Sequence, residues 1–344
     1  MFLTNIYLNL IKMKDLLIRF VRKIYRKISC KSFLPPDCDC DRQSSNDRIF
    51  KLLSSGKPCM ISRFGTVEIN CVNNYLCVKS TKSYLKRITN FIIDKTHTPW
   101  WYDKALFALY NNAGCFPMGI TIAEHFSERY LQDIPEIDIL ACHQYYERFM
   151  PLRDDIERVQ LEMLYPFFVE RPWTRILKGK RVLVIHPFED TIKKQYIKRK
   201  ILFENNEILP DFELITMKAV QTVAGNKSEF KDWFEALAYM ENRINDIEFD
   251  IAIIGCGAYG LPLAAHVKRM GKQAIHLAGG TQLLFGIIGN RWTDSYKKIG
   301  TLHYLPGKDI NIDYTPLFNE NWCYPLAEDT PKNAKAVEGA CYWK

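Results

Sequence analysis

A chain of 344 residues, 47% of them apolar, is long enough for one large or two modest domains with a real core, and its 25% charged residues are ordinary for a globular protein. The net charge of +8 invites a nucleic-acid reading, but residues 1–31 hold eight basic side chains against a single acid, Asp15, and so carry +7 of it. The remaining body is almost neutral, which argues against a nucleic-acid surface on it.

The first element expected is a basic amphipathic helix. Leu16, Leu17, Phe20, Ile24 and Ile28 recur at three- and four-residue intervals, with Arg19, Arg22, Lys23, Arg26 and Lys27 around them. The stretch before it contains Thr4, Asn5 and Asn9, is too short to span a bilayer, and lacks the flanks of a signal peptide. Two readings stand side by side. In one, residues 12–31 lie on an anionic bilayer, which makes the protein cytoplasmic and peripheral at the inner membrane face. In the other, the helix packs on its own domain or is a solvated tail. Residues 32–46, rich in Pro, Asp and Ser, read as a linker, so the expected division is a basic segment with linker over 1–46 and one α/β domain over 47–344. Eleven cysteines without a CxxC pair, Cys38 and Cys40 included, read as reduced thiols rather than a zinc site.

The body is expected to open with a helix over 47–54 and a strand over 57–62. Arg63, Phe64 and Gly65 then lead into a helix with Thr66 as its N-cap and Glu68 in the first turn. A mostly helical stretch containing Trp100 and Trp101 follows, then a helix over 120–131 and a strand over 137–141. From residue 181 the pattern becomes regular. A strand over 181–185 meets the turn His186-Pro187-Phe188, and a basic helix starts at Glu189. Then come a strand over 212–216, a helix over 227–243, and an apolar strand ending in Gly255-Cys256-Gly257. A further helix, with Pro262 near its start, and a strand over 273–277 complete the alternation.

Strands alternating with helices predict a parallel sheet flanked by helices, whose ligand crevice lies beyond the carboxyl ends of the strands. The segments 63–68, 186–189, 255–260 and 279–282 all fall at such ends. The spacing Gly255, Gly257, Gly260 matches GxGxxG, a glycine turn that delivers backbone N–H groups and a helix N-terminus to a phosphate. An NAD(P)-dependent oxidoreductase is one reading, but it requires an acid about 20 residues on to grip the ribose. The next strand instead runs through His276 into Ala278 and Gly279. A nucleotide or nucleotide-sugar site fits without that acid, and close packing of helix on strand is the plain alternative.

Several segments resemble a known family. ISRFGTVE (61–68) is similar to the RFGDGE segment of bacterial GT-D-type glycosyltransferases. VLVIHPF (182–188), GCGAYGLPLAAHVKRMGKQAIHLAGG (255–280), FGIIGNRW (285–292) and VEGACYW (337–343) resemble a branch of it found in surface-polysaccharide gene sets. The resemblance covers the chain from Lys57 onward. It implies a Rossmann-like, GT-D-like domain that moves a sugar from a nucleotide-sugar to a polysaccharide, glycoconjugate or lipid-linked acceptor. The family's Asp-x-Glu, taken to hold a divalent metal (Mn²⁺ or Mg²⁺) and the donor diphosphate, reads Thr66-Val67-Glu68 here, leaving Glu68 as the one carboxylate. A catalytically inactive sugar-nucleotide-binding protein is the corresponding alternative.

Such a transfer needs positive charge or N–H donors for the departing diphosphate. Arg63, Gly65, Thr66, Gly255, Gly257, Gly260, Gly279, Gly280, Gln282 and Arg291 are the expected donor-binding residues. It also needs a proton acceptor for the acceptor hydroxyl, for which Glu68, Glu189 and His186 are candidates. Trp100, Trp101 and Tyr259 are candidates for an aromatic platform under a sugar ring.

Overall fold

Apolar runs rich in Ile, Val and Leu, each closed by a polar or glycine turn, form the strands, and the amphipathic stretches between them form helices. The computed structural model describes residues 2–29, 35–293 and 312–344. Its elements are α1 (Phe2–Ser29), α2 (Arg42–Ser54), β1 (Cys59–Arg63), α3 (Thr66–Val78), α4 (Tyr84–Ile92), α5 (Asp103–Asn111), α6 (Ile120–Asp133), β2 (Ile139–Cys142) and β3 (Glu157–Gln160). They continue with β4 (Arg181–His186), α7 (Glu189–Ile197), α8 (Arg199–Leu202), β5 (Glu213–Lys218), α9 (Trp233–Asn245), β6 (Ile251–Ile254), α10 (Gly260–Arg269), β7 (Gln273–His276) and α11 (Gly280–Leu284).

The strands make one seven-stranded sheet in the order β3-β2-β1-β7-β6-β4-β5, and every pairing is parallel. Side chains alternate between its faces. Ile61, Ile139, Val182, Val184, Ile251, Ile253 and Ile275 pack under α2, α7 and the C-terminal segment. Met60, Leu140, Leu183, Ile185, Ala252, Ile254 and Ala274 pack under α3, α6, α9 and α10. Both faces are therefore buried, and the fold is α/β and Rossmann-like. The chain leaves β4 toward β5 at one edge but leaves β6 in the opposite direction, toward β7. The carboxyl ends of β4 and β6, which are neighbours, thus flank a point of opposed departure, where such sheets open a crevice.

Several boundaries differ from the sequence-based expectation. The expected linker does not run to residue 46. Asp39 pairs with Val159 at the sheet edge, and α2 starts at Arg42 because the Asp41 side chain accepts the Ser44 N–H at 2.7 Å. Thr66 is not a cap but the first residue of α3, whose N-cap is Gly65. The helix expected from residue 227 begins at Trp233, where Asp232 accepts the Glu235 N–H at 2.9 Å. β3 went unpredicted because Glu157-Arg158-Val159-Gln160 carries no apolar run; it is an edge strand, and only its last two residues are buried.

The arginines of α1 turn toward the body. Arg22 and Arg26 both bond the Asp94 carboxylate, and the Arg19 guanidinium lies 4.8 Å from the Tyr102 ring centroid. No described helix is long and apolar enough to cross a membrane.

Candidate functional site

The loops that follow β1, β4, β5, β6 and β7 converge at the carboxyl edge of the sheet around a cavity of about 370 Å³. Parallel strands require this: every strand ends on the same edge, so every β-to-α loop opens there. Of the sequence-predicted residues, Arg63, Gly65, Thr66, Glu68, His186, Gly255, Gly257, Gly279, Gln282 and Arg291 line the cavity together.

Glu189, Gly260 and Gly280 do not. Glu189 points back to the sheet, accepting from Thr216 Oγ1 at 2.6 Å and pairing with Lys193 at 2.9 Å. A Cβ on Gly260 would overlap the His276 imidazole, and one on Gly280 would overlap the Tyr165 ring, so these two glycines admit packing neighbours. Gln282 lines the wall, but its amide donates to the Ile287 and Tyr342 carbonyls, which fastens the C-terminal segment beside the cavity. Trp100 and Trp101 lie outside it as well, whereas Tyr259 is in the wall, stacked on Trp233 at 5.1 Å between centroids.

One helix N-terminus, that of α3, and one glycine turn face the cavity. α3 opens through Thr66 and Val67, and the short turn Gly257–Tyr259 leads into α10; neither N-cap supplies a side-chain hydrogen bond. The glycine turn passes close beneath its neighbours: Gly257 sits at φ +58°, and a Cβ on Gly255 would come within 2.6 Å of the Ala278 carbonyl oxygen. The Tyr130 hydroxyl donates to the Ala258 carbonyl at 2.7 Å and holds the turn from below.

Arg63 ends β1 beside the N-terminus of α3. Among the described residues it makes no salt bridge, and its Nε is buried without a hydrogen-bond partner, while Nη2 is 3.3 Å from His143 Nε2. Behind it stands a network invisible in the sequence. His143 Nδ1 is 3.2 Å from Glu147, whose buried carboxyl is pushed up to about 7 by desolvation. Arg291, by contrast, is engaged: it pairs with Glu338 at 2.5 Å and bonds the Tyr342 hydroxyl at 3.0 Å.

Glu68 is buried against Gly65, and desolvation raises its pKa above the ordinary carboxyl value, against a bond from its own backbone N–H and the charge of Arg63. His186 is held differently from a general base. Its Nδ1 accepts the Phe188 N–H at 2.9 Å, so the proton of the neutral ring is on Nε2, and burial lowers its pKa to about 3. It offers a hydrogen bond rather than taking a proton. His276, at the end of β7, is likewise lowered to about 3 by burial, with Nδ1 3.1 Å from Ser62 Oγ.

The cavity also contains residues that sequence reasoning missed: Asn112, Gln221, Thr222 and, from the C-terminal segment, Glu338, Tyr342 and Trp343. Only the last group carried a signal, the VEGACYW motif, and nothing in it placed the segment at the sheet edge. Among the described residues no three His, Cys, Asp or Glu side chains are disposed to hold a metal ion. The chain matches no protein-family model, no curated protein and no solved structure.

Proposed function

We propose that the protein is a glycosyltransferase of GT-D type that moves a sugar from a nucleoside diphosphate donor to a glycan, glycoconjugate or lipid-linked acceptor. The observation that carries this reading is Arg63: a cation with a buried, unpartnered Nε and no salt bridge among the described residues, sharing a cavity with the N-terminus of α3, which lacks a side-chain cap, and with the glycine turn 255–259. Such a surface is complementary to a dianion that gains charge as it departs. No acid follows β7 to hold a dinucleotide ribose; the chain continues Leu277, Ala278, Gly279.

In this reading Arg63 and the first-turn N–H groups of α3 and of the Gly257–Tyr259 turn hold the diphosphate. His186 donates from Nε2 to a donor or acceptor oxygen. Glu68 is the proton acceptor for the attacking hydroxyl, and burial, which raises its pKa, makes it a stronger base than an exposed carboxylate. Glu189 has no part. For a divalent ion the cavity offers the Glu68 carboxylate and the Thr66 hydroxyl, while its other carboxylate, Glu338, is paired with Arg291; this is a thin donor set next to the Arg63 charge, so no step is assigned to a metal.

Titration calorimetry with UDP- and dTDP-sugars against NADH, followed by a nucleotide-release assay with and without Mn²⁺, tests the proposal. Sugar-nucleotide binding with release is expected. Binding without release favours an inactive binding protein, and binding of NADH alone overturns the reading in favour of an oxidoreductase.

A further inference from the structure

A surface helix ordinarily buries its apolar stripe and leaves its charges in water. α1 leaves its apolar stripe in water and turns Arg22 and Arg26 toward the body. Arg22 reaches Asp94 Oδ1 through Nε at 2.7 Å and the Tyr146 hydroxyl through Nη2 at 2.6 Å, and Arg26 reaches the same carboxylate at 2.7 Å. The Asp94 side chain is fully buried beneath them. Arg19 and Lys14 lie over the rings of Tyr102 and Tyr84. Meanwhile Met13, Leu16, Leu17, Phe20, Val21, Ile24 and Ile28 are 40–76% exposed, and Ile18 is the one described apolar side chain of the helix counted in the core.

The exposed side chains form one continuous stripe along the outer face, and Tyr84 and Leu85 of the adjoining α4 are exposed as well. A patch of this kind marks an interaction surface. Its rim says which. Lys23, Lys27, Lys82 and Lys86 are exposed and make no salt bridge among the described residues, while Asp15, the one acid of α1, is bonded to Arg19. A second copy laid on the stripe would meet the same uncompensated positive charge. An anionic lipid surface meets it with the opposite sign and takes up the apolar side chains at its headgroup boundary.

We propose that α1 is an in-plane membrane anchor whose stripe from Met13 to Ile28 inserts into an anionic bilayer, and that the Arg22–Asp94–Arg26 clamp fixes the helix to the body with that stripe outward. Arg22 and Arg26, which suggest an electrostatic lipid contact in the sequence, serve the clamp instead, and Arg19 is held by Asp15 and Tyr102; insertion is apolar and the lysines supply the charge. The inference stands apart from the transferase reading, because its assay contains no sugar nucleotide.

The full-length chain is sedimented with vesicles of phosphatidylcholine alone and with vesicles of phosphatidylcholine and phosphatidylglycerol in equal parts. Binding is expected on the mixed vesicles and weaker on the neutral ones. Leu17→Ser and Phe20→Ser should each weaken it about tenfold, the scale of one lost apolar side chain. Lys23→Gln with Lys27→Gln should weaken it several-fold and only on anionic vesicles. Unchanged binding by the Leu17→Ser/Phe20→Ser double variant overturns the proposal. So does a dimer in light scattering that this double variant dissolves, since a second copy would then cover the stripe.

Discussion

The backbone N–H of Phe188 donates to Nδ1 of His186 at 2.9 Å, and this single bond decides what the imidazole offers the cavity. A ring that accepts at Nδ1 and is too buried to be protonated carries its proton on Nε2. Nitrogen-15 NMR of the histidine rings is expected to show His186 as the neutral Nε2–H tautomer throughout pH 5–8, a range lying above the lowered value of about 3. A protonated ring in that range would return His186 to the list of acids and bases.

Burial lowers His97, His186 and His276 alike to about 3 from 6.5. The unfolded chain therefore binds protons at these rings below pH 6.5 while the native protein does not, and stability from this source falls as pH drops from there toward 3. Thermal melts across pH should show this acid limb, less steep in His97→Asn. Glu147, raised to about 7 by burial, acts with the opposite sign, since its contribution is lost as pH rises through 7. Glu147→Gln should therefore gain relative stability above neutrality.

Arg63 and Glu68 are separable by what they do to the fold. Arg63→Ala should lose about 2–4 kcal/mol of transition-state stabilisation, the scale of one missing oxyanion donor, with binding of the nucleoside diphosphate reduced in parallel. Glu68→Gln should abolish turnover yet leave the melting temperature unchanged or higher, because it removes a carboxyl that burial disfavours. A capping role alone would instead cost less than about 1 kcal/mol of stability and leave turnover intact. Thr66→Asp is expected to introduce a dependence on Mn²⁺ without abolishing release.

Gly255 and Gly260 of the glycine motif both lack room for a side chain. Gly255→Ala would place a methyl 2.6 Å from the Ala278 carbonyl and the Thr281 hydroxyl and 2.7 Å from the His186 ring, displacing the turn at a cost of about 1–3 kcal/mol. Denaturant melts and donor affinity should both fall. Gly260→Ala would drive its methyl into the His276 ring, which belongs to the cavity wall although Gly260 does not, so stability should fall and donor affinity with it.

Asp94→Asn suits its left-handed backbone, φ +55°, but leaves two arginines without their carboxylate. Burial works against the charged carboxyl, and the hydrogen bonds of Arg26 and Arg22 outweigh it, so its pKa lies below the ordinary value of 3.8. Docking of α1 is therefore present above that value and is lost as pH falls through the lowered one. Limited proteolysis should cut between α1 and α2 faster in Asp94→Asn at neutral pH.

The local order of strand, glycine turn and helix over Ile251–Arg269 was legible in the chain, because apolar runs, glycines and a helix start are near-neighbour signals. So was the convergence of four loops, since a parallel sheet puts all its carboxyl ends on one edge. Which members of those loops face inward was not legible. Glu189 sits in the same β4-to-α7 connection as His186, but Thr216, 27 residues on, draws its carboxylate away from the cavity. The GxGxxG spacing could not show that Gly255 and Gly257 line the cavity while Gly260 makes room for a histidine on another strand. For α1 the periodicity determined a stripe and an opposing basic face. Which of the two meets the body was decided by Asp94, a buried carboxylate 68 residues from Arg26. A helical period describes one surface of a pair, and only tertiary structure brings the other surface to it.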